Sequence, residues 1–189
     1  MNSKMTEQTY QTAAQSLGCE TACIHAVADV ESNGDGFLKN GMPKILFEAH
    51  SFHNLTGGKY DIKYPNISSP IWDKKLYYGG TLEYTRLNIA KTLNEDAALK
   101  STSFGKFQIM GSNYKECGYT TVQSFVSDMY VSEISQLMAF VRFLKSTGLD
   151  IHLVNKNWQL FALGYNGKGY KANNYDTKLA TAYNKYKGA

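Results

Sequence analysis

Residues 28–34 place a carboxyl group where an apolar helix runs into a turn. The segment has the sequence Ala-Asp-Val-Glu-Ser-Asn-Gly, with Glu31 near the end of the expected helix. Partial burial and the negative end of the helix dipole both disfavour an ionised carboxyl group there. Both effects raise its pKa, as a general acid working near neutral pH requires. Taken alone, however, the segment is more typical of an exposed glutamate at a helix end.

Two later segments combine small residues with groups that can bind a ligand. Residues 102–111 offer small side chains that let backbone approach a ligand, and Gln108 can hydrogen-bond sugar hydroxyls or an acetamido group. Residues 162–167 end in Tyr165 and Asn166, followed by a glycine, which suits stacking and hydrogen bonding. Each segment alone also fits an ordinary helix start or helix stop.

A second carboxyl group follows the apolar run of residues 43–50. Glu48 comes directly after this expected strand and could face Glu31 across a groove. His50 and His53 have the spacing of a metal-binding pair, but no third ligand is evident, so we expect no metal and no other cofactor.

The elements that must position these residues are mainly helical. Asn40 and Gly41 separate two apolar runs and predict a β-hairpin whose second strand is Ile45 to Phe47. Residues 55–80 form an irregular, tyrosine-rich stretch containing Trp72, a candidate wall of a binding groove. The periodicity predicts helices over 5–17, 20–32, 81–99, 101–110, 122–129, 132–147, 156–164 and 175–187. We therefore expect one mainly α domain, residues 1–189, with a small β-hairpin flanking the groove.

Composition and charge narrow the possible functions. The chain is 43% hydrophobic and 19% charged, which is typical of a globular protein. From residue 140 to the end, eight basic residues stand against two acidic ones, which indicates either a polyanionic partner or a solvated helical surface. Arginine is scarce and no basic cluster is interleaved with aromatic residues, so nucleic-acid binding is not expected. No apolar run reaches the roughly 20 residues of a membrane span, and no secretory signal is apparent.

Taken in order, the motifs resemble those of a known enzyme superfamily. Glu-Ser-x-Gly from Glu31, Ser-x-Gly-x-x-Gln-Ile-Met from Ser103 and Tyr-Asn-Gly from Tyr165 resemble the lysozyme-like superfamily of goose-type lysozymes and soluble lytic transglycosylases. The fuller pattern, including Pro-Lys-Ile-Leu-Phe-Glu-x-His at 43–50, is closer to the N-acetylmuramidase domain of bacteriophage endolysins. The resemblance covers nearly the whole chain from about Cys19.

This resemblance implies hydrolysis of the β-1,4 bond between N-acetylmuramic acid and N-acetylglucosamine in peptidoglycan. It implies that Glu31 is the catalytic acid, and that Ser103, Gln108, Tyr165 and Asn166 line the substrate groove. It also implies a monomer made in the host cytoplasm without a signal peptide and released to the cell wall by a holin. A lytic transglycosylase and a non-catalytic wall-binding module remain the alternatives.

The second catalytic group is left open by the sequence. Glu48 is the first choice, and Asp35 or Asp61 is the fallback. Asp29 is excluded because two residues turn a helix by about 200°, which points its side chain away from Glu31. If no second carboxylate lies near the acid, the transglycosylase reaction becomes more plausible.

Overall fold

A computed structural model describes residues 4–188, which form a mainly helical fold with one small antiparallel sheet. The elements in chain order are α1 (Glu7–Leu17), α2 (Thr21–Ser32), β1 (Ile45–Phe47), α3 (Ala49–Thr56), α4 (Leu82–Leu93), α5 (Glu95–Lys100), β2 (Thr102–Phe104), β3 (Ile109–Met110), α6 (Val122–Met129), α7 (Glu133–Thr147), α8 (Asp150–Val154), α9 (Trp158–Asn166) and α10 (Tyr175–Tyr186). Short 3-10 turns cover Lys74–Leu76, Gly111–Asn113 and Lys168–Asn173. The predicted fold class is confirmed.

Local signals in the sequence explain where several helices begin and end. The Thr6 side chain accepts a hydrogen bond from the third residue of α1, and Gly18 ends this helix in the left-handed conformation. Ser132 caps α7 in the same way and Gly148 ends it. The predictions for these two helices are therefore correct to within two residues.

The helix α2 is the central element for the site. Its side chains Cys23, Ile24, Ala26 and Val27 are fully buried, and the helices α1 and α10 pack against it. Burial of a Val or Ile side chain stabilises a fold by about 1.5–3 kcal/mol. Because α2 is anchored along its length, the residues at its C-terminal end have a fixed position.

The predicted helix over residues 101–110 is wrong. Residues 102–104 and 109–110 are instead the strands β2 and β3, joined by a turn with positive φ at Gly105 and Gln108. Two such residues cannot be accommodated in a right-handed helix. The strand β1 pairs with β2, with Ile45 opposite Phe104. The hairpin expected around Asn40 and Gly41 is reduced to a single bridge between Phe37 and Pro43.

The long helix predicted over residues 81–99 is divided in two. Asn94 adopts an extended conformation, and its side chain accepts a hydrogen bond from Ala97 N, which starts α5 as a separate helix. Residues 55–80 contain the end of α3, several turns and one 3-10 turn, which agrees with the irregular stretch predicted there. The short helix α8 was not predicted. Among residues 4–188, no helix is both long and apolar enough to cross a bilayer.

Candidate active site

Glu31 lies in the last turn of α2 and is half-buried. The helix ends because Asn33 and Gly34 both adopt positive φ, and their amides bond back to Asp29 O and Ala28 O. This is the glycine-terminated stop that the sequence predicts at this point. Asp29 pairs instead with Lys185 on α10, at 2.9 Å, so it points away from the groove as expected.

Two lysines bind carbonyl groups at the end of α2 and in the turn that follows it. Lys44 Nζ donates to Ser32 O at 2.6 Å, and Lys106 Nζ donates to Gly34 O. Cations at a helix C-terminus offset the negative end of its dipole. The dipole therefore contributes less to the pKa of Glu31 than the sequence suggested, and burial contributes most.

A buried polar cluster fixes the turn that follows Glu31. Glu133 on α7 accepts a hydrogen bond from Gly36 N at 2.9 Å and pairs with Lys106 at 3.1 Å. Gln136, also on α7, accepts from Lys106 N at 2.7 Å and fills the space that a Cβ atom at Gly36 would need. The glycine is therefore required by close packing, and the turn is held to α7.

The environment of Glu31 is suited to a proton donor. Burial raises the pKa of Glu31 to about 7, while the hydrogen bond from Asn166 and the charge of Lys178 partly oppose this rise. Asn166 Nδ2 donates to Glu31 Oε1 at 2.9 Å. Asn166 Oδ1 is buried and has no hydrogen-bond partner within the described residues. A carboxyl group with a pKa near neutrality can both give and take back a proton under ordinary conditions.

Tyr165 connects α9 to the turn between β2 and β3. Its hydroxyl donates to Phe107 O at 2.6 Å, and its ring stacks on Phe161 at a centroid distance of 5.3 Å. The negative charge of Glu31 contributes, after burial, to raising the pKa of Tyr165. Tyr165 therefore lies beside the acid and holds in place the helix that carries Asn166.

Ser103 and Gln108 bond to each other across the same turn. Ser103 Oγ donates to Gln108 Oε1 at 2.9 Å, and Gln108 Nε2 donates to Gly105 O at 2.8 Å and Lys44 O at 3.3 Å. Both ends of the amide are thus engaged within the protein. The predicted contact of these two side chains with sugar stays a prediction, whereas their part in shaping the turn is visible.

Glu48 is the residue between β1 and α3, and its side chain is 17% exposed. The Tyr77 hydroxyl donates to Glu48 Oε2, and His50 Nδ1 lies 3.3 Å from the same oxygen. Two neighbours that can donate hydrogen bonds favour an oriented carboxylate.

Glu31 and Glu48 both act on one tyrosine, Tyr175 at the start of α10. Burial, and then the charges of Glu31 and Glu48, raise the pKa of Tyr175 to about 12. Both carboxyl groups therefore affect the same phenol, and the predicted pairing of Glu31 with Glu48 stays a prediction.

A buried ion pair, not foreseen from the sequence, positions the wall that carries Glu48. Arg86 Nη1 donates to Glu83 Oε2 at 2.9 Å and to Phe47 O at 2.8 Å, while Phe47 N donates to Glu83 at 3.1 Å. Glu83 Oε1 also accepts from the amides of Tyr78 and Gly79, at 2.6 and 3.1 Å. One ion pair thus fixes the backbone next to both Glu48 and Tyr77.

The fallback carboxylates have other partners. Asp35 is exposed and lies 3.4 Å from Lys4, and Asp61 pairs with His53 at 2.8 Å. Hydrogen bonds from Ser68 and His53 lower the pKa of Asp61. Within residues 4–188 no group of three or more His, Cys, Asp or Glu side chains could hold a metal ion.

Comparison with known proteins agrees with this geometry. A profile of the N-acetylmuramidase family matches residues 20–187. The crystal structure of the Burkholderia AP3 phage endolysin is similar, with 41% identity and a TM-score of 0.85 over 97% of this chain and 71% of that one. No curated protein sequence is detectably similar. The chain belongs to the N-acetylmuramidase family and is a glycoside hydrolase that degrades peptidoglycan.

Proposed function

We propose that Glu31 is the general acid that protonates the glycosidic oxygen between N-acetylmuramic acid and N-acetylglucosamine. The observation that carries this proposal is the pKa of about 7, caused by burial at the end of α2. An acid with this pKa is about half protonated at neutral pH, and it donates its proton as oxocarbenium character develops at the muramyl carbon. The hydrogen bond from Asn166 holds the carboxyl group of Glu31 in one orientation.

Glu48 is the second catalytic carboxylate in this proposal. Its charge, like that of Glu31, raises the pKa of Tyr175, and its side chain is held by Tyr77 and His50. A carboxylate opposite the acid either attacks the anomeric carbon or activates water, depending on the separation of the two groups. A carboxylate opposite Glu31 supports hydrolysis over the transglycosylase reaction, in which the muramyl 6-hydroxyl is the nucleophile.

The role of Glu31 is tested with Glu31→Gln, which keeps the shape of the side chain and removes the acid. Clearance of purified peptidoglycan should fall by at least about 1000-fold, since a positioned general acid and the mechanism built on it are lost together. Glu116→Gln, a change at an exposed position, is the matched control. Wild-type clearance by Glu31→Gln would contradict the assignment.

Mass spectrometry of wild-type products should show reducing muramic acid, not a product lighter by one water.

The role of Glu48 is tested with Glu48→Gln and Tyr77→Phe. The first variant should lose most activity, and the second should lower kcat by about 10-fold with little change in KM, because the tyrosine ring stays and only the donor to Glu48 is removed. Full kcat in both variants would exclude Glu48 and return the choice to Asp35, Asp61 or no carboxylate.

Ser103, Gln108, Tyr165 and Asn166 form the remainder of the proposed groove. Asn166 contacts the acid directly, Tyr165 holds the β2–β3 turn against α9, and Ser103 and Gln108 bond to each other across that turn. We expect Asn166→Ala to act mainly on kcat. A mutation of Gln108 should lower stability and activity together, because its amide is bonded within the turn.

The biological role we propose is that of a phage endolysin, a monomer made in the host cytoplasm and released to the cell wall by a holin. The similarity to the Burkholderia AP3 phage endolysin supports this role. Exposed lysines between Lys168 and Lys187 provide positive charge that suits an anionic wall. Expression in a bacterial host with and without a co-expressed holin tests the release step, since lysis should require the holin.

A further inference from the structure

An exposed aromatic surface lies next to Glu48 on the loop of residues 69–79. Trp72 is 54% exposed and Ile71 is 67% exposed, although both are large apolar residues. The Trp72 ring contacts the Tyr77 ring at a centroid distance of 6.0 Å and an interplanar angle of 55°. The Tyr77 hydroxyl in turn donates to Glu48. A continuous line of contacts therefore runs from the proposed second carboxylate out to the indole.

This loop is anchored at both ends. The amides of Tyr78 and Gly79 are bonded to the buried Glu83, and the Arg86 guanidinium lies 5.9 Å from the centre of the Tyr77 ring. At the other end, Ser69 N donates to Ala49 O at 3.3 Å, and Ser69 Oγ donates to Ile71 O at 2.8 Å within the loop. The tryptophan is thus presented to solvent by a fixed loop, an arrangement that favours ligand binding over simple packing.

The chemistry beside the indole suits a sugar. Ala49, His50, Asp73 and Tyr77 lie around Trp72, and they combine apolar surface with groups that donate or accept hydrogen bonds. A flat aromatic face with a few polar groups at its edge matches the apolar C–H face and the polar rim of an N-acetylated pyranose.

We propose that Trp72, with Tyr77, forms an outer sugar-binding subsite that stacks a pyranose ring of the glycan strand beyond the bond that is cleaved. This proposal rests on the proposed function, because the ligand is the same glycan strand. Tyr77 contacts Glu48, and Trp72 lies one ring further from the reacting bond. The subsite is therefore reached by long strands and not by short fragments that fill only the cleft around Glu31 and Glu48.

Binding is measured first, in the inactive Glu31→Gln background, with soluble glycan strands whose stem peptides have been removed by an amidase. Titration should give a saturable change in tryptophan fluorescence, and Trp72→Phe should remove most of it, since Trp158 is the only other tryptophan. Calorimetry should show roughly 10-fold weaker binding for Trp72→Ala, the loss expected for one stacked ring. Ile62→Ala, at a fully exposed position in the same stretch, is the control and should bind as the parent does.

Kinetics of the active enzyme give the second test. Trp72→Ala should raise KM on long strands by roughly 10-fold and leave cleavage of a tetrasaccharide unchanged. If Trp72→Ala lost the same activity on long strands and on the tetrasaccharide, the proposed subsite would be wrong. It would also be wrong if the Trp72 variants, in the Glu31→Gln background, kept the strand affinity and the fluorescence change of the parent. Those results would leave the hydrolase function intact if wild-type protein still cleaves peptidoglycan. Failure of wild-type protein to cleave, together with a Trp72-dependent strand signal, would refute the proposed function and retain the subsite.

Discussion

Replacing Glu31 with glutamine should stabilise the folded protein at neutral and alkaline pH while it abolishes activity. Burial raises the pKa of Glu31 from its ordinary value of 4.5 to about 7. The difference, 7 minus 4.5, is about 2.5 pKa units, and each unit corresponds to about 1.36 kcal/mol. Ionised Glu31 therefore costs the fold about 3 kcal/mol. Glutamine keeps the acceptor for Asn166 and carries no charge.

The direction of the pH dependence follows from the raised pKa. Below about pH 4.5 the glutamate is protonated in both the folded and the unfolded chain, so the two proteins should be equally stable. As pH rises, the unfolded chain ionises first and wild-type stability falls. Above about pH 7 the loss is complete, and Glu31→Gln should have the higher melting temperature by about 6–12 °C, at 2–4 °C per kcal/mol for a chain of this size.

Thermal unfolding followed by circular dichroism from acid to alkaline pH measures this difference. Glu116→Gln is the control, because it makes the same chemical change at an exposed position. Equal melting temperatures for Glu31→Gln and wild type at all pH values would refute the reasoning. Burial would then not penalise the charge, and the acid role would lose its physical basis.

Two further predictions concern Asn166, the hydrogen-bond partner of Glu31, and the packing of the 3-10 turn that follows β3. Asn166→Asp places a second carboxylate 2.9 Å from Glu31, which should raise the pKa of Glu31 further. The alkaline limb of the kcat/KM profile should then move to higher pH by about one unit or more. An alkaline limb at the wild-type pH would contradict the assignment of Glu31 as the acid. Gly111→Ala should lower the free energy of unfolding by about 1–3 kcal/mol in urea, because a Cβ atom there would lie 2.1 Å from Leu99 O. Gly169→Ala, where nothing lies within 4 Å of the added atom, should have no such effect.

Several helices and the position of Glu31 at the end of α2 could be predicted from the sequence because their signals are local. Apolar periodicity and the Asn33-Gly34 stop defined α2 and placed Glu31 at its end. Of the two causes predicted for the raised pKa of Glu31, burial is the main one and the helix dipole contributes less. Lys44 and Lys106 bind the end of α2 from distant parts of the chain, and no local pattern indicates that they offset the dipole.

The errors arose where distant contacts override local preference. Residues 102–104 pair with β1, more than fifty residues earlier, and no pattern within 101–110 distinguishes this strand from a short helix. Glu83 and Arg86 are three residues apart, which is the spacing of an ordinary ion pair on a helix surface, so their complete burial was not evident.

One error has a different origin, because its signal is local. Asn94 before two acidic residues was a visible start signal for α5, and the prediction of one long helix overlooked it.

The Glu83–Arg86 pair also determines how the groove wall can move. Its bonds reach the end of β1, the carbonyl of Asn66 and the amides of Tyr78 and Gly79, so three separate chain segments share one buried junction. Opening any of them would leave a buried charge without its partners, which is strongly unfavourable. We therefore expect the wall to move with the body of the protein and not as a separate lid, and we expect the amides of Tyr78 and Gly79 to exchange hydrogen slowly with solvent.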